Sequence, residues 1–368
     1  MSNYTGHLKR ELEKLNVDLI VVTSRCLCEE RYCGLSNVFQ GDCRYVAWPT
    51  IPFLRAGRRI SRMLMWLPTV IFQVLRGIRY LNQCKDCDVI HYQQCPPASF
   101  DILPLAGLLL VPTTKVRVVT LHSFYKPKTR LLKAFLRTLY SRADYLIVHS
   151  DDHKRAATQL GLQHDRVKLI RHGVSHPAAL NTERREVTFF GAPTRRKGFH
   201  TVLEALRIMR DHGRQVSLNI YGIYSQEERV QAATAAQDLG VDDLVRLRGR
   251  LDEDGFDKKM QESLFTLAVY STSISGSSII TRALANATPI IASDIGGSRE
   301  YLQSAGVIIH PNDPASLTKA MTALLDDELL REELGEQCRK RSRRLPSWEE
   351  VAEQTLGLYL ESLRARCH

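Results

Sequence analysis

Residues Leu267 to Glu300, LAVYSTSISGSSIITRALANATPIIASDIGGSRE, constrain this chain more than any other stretch. Phe265 to Tyr270 reads as a buried strand, and Ser271 to Ser278 as a turn of small residues. Ile279, Ile280, Ala283, Leu284 and Ala287 fall at helical spacing and predict a short helix. Thr288-Pro289 stops it, and a second strand, Ile290 to Ser293, leads into Gly296-Gly297. In open parallel sheets a strand, Gly/Ser turn, helix and strand form a unit that can bind anions. The turn lets backbone approach a phosphate, and the helix start aims N–H groups at it. An ordinary crossover with no ligand has the same local pattern.

The rest of the chain repeats this alternation. Residues 1–16 predict a helix with Leu8, Leu12 and Leu15 on one face. Strands follow at Val17–Thr23, Cys43–Pro49, Asp88–Tyr92, Val116–Thr120, Tyr145–Ser150 and Val167–Ile170, with helices at Leu131–Tyr140 and His153–Leu160. A polar segment, Ser175 to Glu186, separates a second alternation that begins with the strand Val187–Phe190. A final helix opens at Ser347-Trp348-Glu349-Glu350, a capping-box pattern. Strands alternating with helices predict parallel sheets, and 368 residues suffice for two such domains.

Composition narrows the class. With 44% hydrophobic and 25% charged residues, the chain is that of a globular α/β protein. No apolar run reaches the roughly 20 residues that span a bilayer, and no signal peptide precedes the first strand, so a cytoplasmic location is expected. Cys84 and Cys87 beside Cys95, with Cys26 and Cys28 upstream, match no common zinc pattern. The net charge of +11 suits phosphorylated or anionic partners. It is spread along the chain without interleaved aromatics, which argues against nucleic acid. Arg55 to Tyr80 carries six Arg among Met63, Leu64, Trp66, Leu67, Ile71, Phe72 and Leu75. Such a basic amphipathic stretch suits an anionic membrane surface, as it also suits core helices rimmed by Arg.

The opening stretch resembles the donor-binding segment of retaining GT-B glycosyltransferases of family four, loosely E-G-x-P-x-x-x-x-E-A-x-A-x-G-x-P-V-I-A-S-x-x-G-G-x-x-E. Ala283, Ala285, Pro289, Ile291, Ala292, Ser293, Gly296, Gly297 and Glu300 keep the pattern. The two motif carboxylates do not: Ile274 and Arg282 stand in their places. HSDDHKRAATQLGL with VKLIRHGV, TFFGAPTRRKGFHTVLEAL and SWEEVAEQ extend the resemblance over nearly the whole chain.

The resemblance implies an α/β fold of two Rossmann-like domains whose parallel sheets face across a cleft, with a C-terminal helix crossing back. It places an acceptor-side domain at residues 1–174, a nucleotide-sugar domain at 175–346 and the crossover helix at 347–368. It implies transfer of a sugar, of hexosyl type, from a nucleotide-diphosphate donor to a glycan or lipid-linked acceptor with retention, without metal or cofactor. The replaced carboxylates leave a second reading, a non-catalytic GT-B subunit that binds or stabilises a partner transferase. A cytoplasmic protein is expected, and the basic stretch Arg55 to Tyr80, if it docks on lipid, would make it peripheral on the inner membrane face.

The loop Gly191 to Gly198, GAPTRRKG, matches the family's diphosphate grip at Lys197-Gly198. Ala192 replaces its Arg, and Arg195 and Arg196 lie a few residues on. Such cations neutralise charge developing on a departing diphosphate, although the same loop would serve as a solvated basic turn. Gly276, Ser277 and Ser278 form the helix-start side of that site. Arg282, early in the helix, opposes the helix dipole unless an anion is near. A diphosphate, or a pairing with Glu300, would answer that need. His122, in VVTLHSFY, matches the family's T-x-H and is expected beside the donor sugar as the catalytic candidate, unless it is merely satisfied at a strand end. His172-Gly173 matches a hinge-side turn.

Family members open with a strand and glycine-rich loop, of which Tyr4-Thr5-Gly6-His7 is the counterpart here. Without that central strand, the first sheet is expected to close around Val17–Thr23 or to be completed by another chain. A homo- or hetero-oligomer follows from the second case.

Overall fold

The structure, a computed structural model, describes residues 2–18, 21–26, 43–48, 75, 78, 87–94, 105–122, 127, 129–177, 183–271 and 278–367. They fall into two compact units, Met1–Arg171 with Trp348–His368, and His172–Ser347. Apart from residues 75 and 78, the basic stretch 55–80 lies outside the described residues, as do Cys84 and Cys95.

In the first unit, α1 (Ser2–Lys14) precedes a parallel pair, β1 (Val21–Cys26) and β2 (Cys43–Trp48). A separate four-stranded parallel sheet holds β3 (Val89–Gln94), β4 (Val116–Leu121), β5 (Tyr145–Val148) and β6 (Val167–Leu169) in sequence order. Helices α2 (Arg130–Tyr140) and α3 (Asp151–Gln159) lie between its strands in sequence. Both have side-chain caps, from Thr129 Oγ1 to the Leu132 N–H and from Ser150 Oγ to the His153 N–H.

β4 is buried along its whole length, because both faces of the sheet are covered. Val119 and Leu121 face Leu136, Leu139 and Tyr140 of α2. Val116 and Val118 join a second cluster, with Tyr4, Leu8 and Leu12 of α1 and Val351, Ala352 and Tyr359 of the C-terminal helix, Trp348–Cys367. That helix therefore completes the core of the first unit.

β1 lies four residues later than the expected Val17–Thr23 strand, and among the described residues it pairs with β2 alone. The expected closing of the sheet around it is not what these residues form. β3 borders the four-stranded sheet and is half-buried along most of its length. Polar side chains at His91 and Gln93 are compatible with that position. Residues 105–110, to which the sequence pattern gave no element, are helical and supply buried Leu105, Leu108 and Leu109.

The second unit is a six-stranded parallel sheet. Its strands are β7 (Glu186–Phe190), β8 (Leu218–Tyr221), β9 (Val245–Gly249), β10 (Ser263–Ala268), β11 (Ile290–Ser293) and β12 (Val307–Ile309), in the order β9-β8-β7-β10-β11-β12. Its helices are α4 (Phe199–Asp211), α5 (Gln226–Asp238), α6 (Glu253–Gln261), α7 (Ser278–Ala285), α8 (Ser298–Leu302), α9 (Pro314–Asp326) and α10 (Glu328–Ser342). Val187, Phe189, Leu218, Ile220, Phe265 and Leu267 pack with α4 and α9. Phe190, Tyr221, Ala268, Ile290 and Ala292 pack with α6 and α7. At about 1.5–3 kcal/mol for each large side chain buried, these two apolar layers hold the sheet between its helices.

Candidate active site

Strand order in the second unit reverses between β7 and β10, and crevices at such switch points are where open parallel sheets bind ligands. The loops leaving these two strands meet there. The Gly191 N–H donates to the Tyr221 carbonyl, 2.7 Å, and a tight turn over Arg195–Lys197 follows. Gly198 closes the turn with φ +77, and a Cβ on it would sit 1.8 Å from the Val269 carbonyl oxygen. Only glycine fits this approach. Ser271, after β10, donates from Oγ to the Arg195 carbonyl, 2.8 Å, and from its N–H to that of Arg196, 3.1 Å.

These bonds fix Lys197 and leave its neighbours outside. The Lys197 Nζ donates to the Tyr270 hydroxyl at 3.2 Å and lies 4.6 Å from the centroid of that ring. The Lys197 side chain crosses Gly191, its Cε 3.4 Å from where a Cβ would stand. The ammonium has three donors, so the bond to Tyr270 leaves two to offer an anion. Arg195 and Arg196 are exposed.

Ser278, the first residue of α7, is exposed; Gly276, Ser277 and Ile274 lie outside the described residues. One turn on, Arg282 has two carboxylate partners. Its Nη1 donates to Glu253 Oε2 at 2.7 Å, and its Nε donates to Asp257 Oδ1 at 3.1 Å. Its guanidinium lies 3.9 Å from the Phe256 ring centroid. The side chain is 15% exposed. The anions that a cation early in a helix calls for thus come from α6, not from Glu300. α6 starts just after β9, capped by Asp252 to the Gly255 N–H at 2.8 Å, and presents Glu253 and Asp257 four residues apart on one face. Asn286 adds a bond to Asp257 Oδ1, 2.9 Å. Glu300 lies in α8, where its carbonyl accepts from Arg341 Nη2 at 2.9 Å. The backbone N–H of His172 donates to the Tyr301 hydroxyl at 2.9 Å.

His122, in the first unit, directly follows β4 and is half-buried within a set of polar side chains. Its Nε2 lies 2.8 Å from the Gln93 amide and its Nδ1 3.3 Å from His149 Nε2. His149 Nδ1 donates to the Ile170 carbonyl at 2.8 Å. Beyond Gln93, His91 Nε2 is 3.1 Å from the Gln93 amide and 2.7 Å from Thr120 Oγ1, and His91 Nδ1 is 2.5 Å from the Tyr359 hydroxyl. The Tyr4 ring meets both His122 and His149, with centroids 4.9 Å away in each case. Burial pushes His149 down to about 4, and burial together with the nearby His149 pushes His91 down to about 3. Both rings are neutral at pH 7.

Sequence reasoning singled out His122 but not Gln93, His149 or His91. A signal existed. Gln93, His122 and His149 stand at or just past the C-terminal ends of three successive strands, and His91 shares a strand face with Gln93. Tyr270, Glu253 and Asp257 were missed as well; the two acids are four residues apart, a helical-face spacing.

Two family models match the chain, Glycosyl transferases group 1 over residues 175–341 and Glycosyltransferase Family 4 over residues 1–176. The chain is 24% identical over 310 residues to the MMP alpha-(1->4)-mannosyltransferase of Mycolicibacterium hassiacum, covering 78% of this chain and 74% of that protein. Its fold is similar to sucrose-phosphate synthase from Thermosynechococcus elongatus, with TM-score 0.74 and 18% identity over 98% of this chain and 93% of that one. It is likewise similar to Anabaena HepE in complex with UDP-glucose, with TM-score 0.72 and 15% identity over 98% and 95%.

Proposed function

The chain belongs to the group 1 and family-four glycosyltransferases, and from that premise we propose that it takes a hexosyl group from a nucleoside-diphosphate sugar and places it, with retention, on a hydroxyl of a glycan or lipid-linked acceptor. The bond from the anomeric carbon to the diphosphate breaks, a glycosidic bond forms, and the acceptor's proton passes to the departing diphosphate. Lys197 carries this reading, a cation fixed at the strand-order reversal with two donors left to offer. Charge develops on the leaving diphosphate, and a pre-positioned ammonium stabilises it there without reorganising. Arg195 and Arg196 are exposed beside it and can close on the same phosphates. The bound UDP-glucose of the HepE structure is in keeping with a nucleotide donor.

The test is a donor screen by thermal shift, followed by proton NMR of the product with an accepted donor. A saturable shift with one nucleotide and an α-linked product from an α-linked donor are expected. No shift with any nucleotide sugar would reject the reading.

A second observation favours action at an anionic membrane. Between Asp101 and Asp144 the sequence has no acidic residue, and Lys126, Lys128, Arg130, Lys133, Arg137 and Arg142 fall within it. On α2, Leu131 is 82% exposed and Phe135 40%, four residues apart. A basic helix with apolar side chains on its open face suits a lipid surface. Among the described residues no helix is long and apolar enough to cross a membrane.

A further inference from the structure

The six-stranded sheet of the second unit ends in two border strands of opposite character. β9 carries Arg246 and Arg248, both exposed, and charged side chains are one way a border strand discourages pairing. β12 is Val307-Ile308-Ile309, with neither charge nor proline. Its inner side is taken up by β11, and the Asp294 N–H donates to the Ile309 carbonyl at 2.8 Å. Backbone groups alternate sides along a strand, so the N–H and carbonyl of Ile308 point outward. Beside them runs a groove of about 420 Å³. Ser316, Lys319, Ala320 and Ala323 of α9, at the spacing of one helical face, form its wall, and Leu330 of α10 closes one end. Three of the four wall side chains are small, so another backbone can come close. The charges along the groove are divided. Lys319 is exposed and has no ion pair among the described residues. Past Leu330, on α10, Glu328 and Glu332 are exposed one turn apart and are likewise unpaired among the described residues, and Leu329 between them is 76% exposed.

We infer that the chain forms a homodimer through this border, with β12 of two copies paired antiparallel about a two-fold axis at Ile308. Facing residues of such a pair exchange both N–H···O bonds. Ile308 offers one donor and one acceptor on its outer side, which is what its own counterpart needs. The same half-turn lays the Lys319 end of one groove against the Glu328 and Glu332 end of the other, and symmetry makes that contact twice. A parallel arrangement would instead set like charges together. The small wall of α9 lets the two α9 helices approach over the joined strands, and Leu329 is covered at each end. Six strands from each copy then make one sheet, and its new borders are the two β9 strands with their arginines. Association therefore stops at two copies. The inference is independent of the reaction proposed above.

Light scattering of the full chain during size-exclusion chromatography tests it. A mass of two chains is expected, falling to one on dilution. A wild-type chain that stays monomeric at every concentration would overturn the inference, and this arm needs no variant to fold. A323R places a long cation at an exposed position of the groove wall, and it should be monomeric with an unchanged circular dichroism spectrum. A dimer indifferent to A323R would overturn the inference, because the contact would then lie elsewhere. K319E sets like charges together at both ends and should raise the dissociation constant about tenfold. Adding E328K and E332K to K319E reverses both ends and should restore the dimer. A K319E chain that these reversals leave as weak as before would overturn the antiparallel pairing.

Discussion

Lys197 and Tyr270 join the two loops of the strand-order reversal through one hydrogen bond, 3.2 Å long, and the ammonium lies 4.6 Å from the centre of the aromatic ring. A charge held on an aromatic face is oriented without being neutralised. Replacing Lys197 by Met should weaken binding of the donor nucleotide about 10–100-fold, the range for a lost charge-assisted bond of about 1.5–3 kcal/mol. Y270F keeps the ring and should cost less than tenfold. Isothermal titration measures both, and equal affinity for K197M and wild type would remove Lys197 from the site.

Arg282 should behave differently, because its partners are Glu253 and Asp257. R282M leaves two carboxylates side by side on one face of α6 without their shared cation. A loss of about 1–3 kcal/mol in denaturant unfolding is expected, with a smaller effect on nucleotide affinity than K197M. The reverse pattern, stability kept and affinity lost, would return Arg282 to the phosphate.

Two glycines of the second unit test how closely its backbone is packed. A methyl group at Gly198 meets the Val269 carbonyl at 1.8 Å, whereas at Gly240, also left-handed with φ +64, nothing lies within 4 Å. G240A should cost about 1 kcal/mol, the left-handed penalty alone. G198A should cost several times more, or prevent folding. Similar melting temperatures for the two variants would contradict the contact.

Acid should destabilise the first unit through its rings. His149 and His91 titrate near 4 and 3 in the folded chain, against an ordinary 6.5. Below about pH 6.5 the unfolded chain takes up protons that the folded rings refuse. Their stabilising contribution is therefore complete above that pH and declines as pH falls toward the folded values. The slope approaches about 1.4 kcal/mol per pH unit for each ring. Melting curves between pH 7 and 4 should show the decline, and H149F should flatten it. A wild-type melting temperature independent of pH over that range would be inconsistent with neutral buried rings.

Liposome sedimentation tests α2. Binding to vesicles rich in anionic lipid should fall steeply with salt and be reduced by L131E with F135E. Equal binding to neutral vesicles, or indifference to both substitutions, would reject the surface.

The fold was largely legible in the sequence because parallel strands buried on both faces leave continuous apolar runs. Ile290–Ser293 has the boundaries its residues predict. The group 1 and family-four resemblance, drawn from motifs, is matched by the family models. Less was legible where partners lie far apart in sequence. Arg282 announced a need for anions, but nothing local said that they come from Glu253 and Asp257, more than twenty residues upstream. The bond from Tyr359 to His91 spans most of the chain, and no periodicity connects a residue of the C-terminal helix to a strand near residue 90. α8 was also missed, since five residues carry too little pattern to declare a helix.

The return of helix Trp348–Cys367 to the first unit has a consequence for biosynthesis. Val351 and Ala352 are buried against Tyr4, Leu8, Leu12, Val118 and Ile147. A ribosome adding about 5–20 residues per second makes all of His172–Ser347 between these partners, a delay on the order of ten seconds or more. The second unit is one unbroken stretch and can mature during that interval. The first unit is begun earlier and closed later, and until its last helix emerges its apolar face is open to chaperones. Vectorial synthesis thus reverses the usual order in this chain, with the later-made unit the first to be finished.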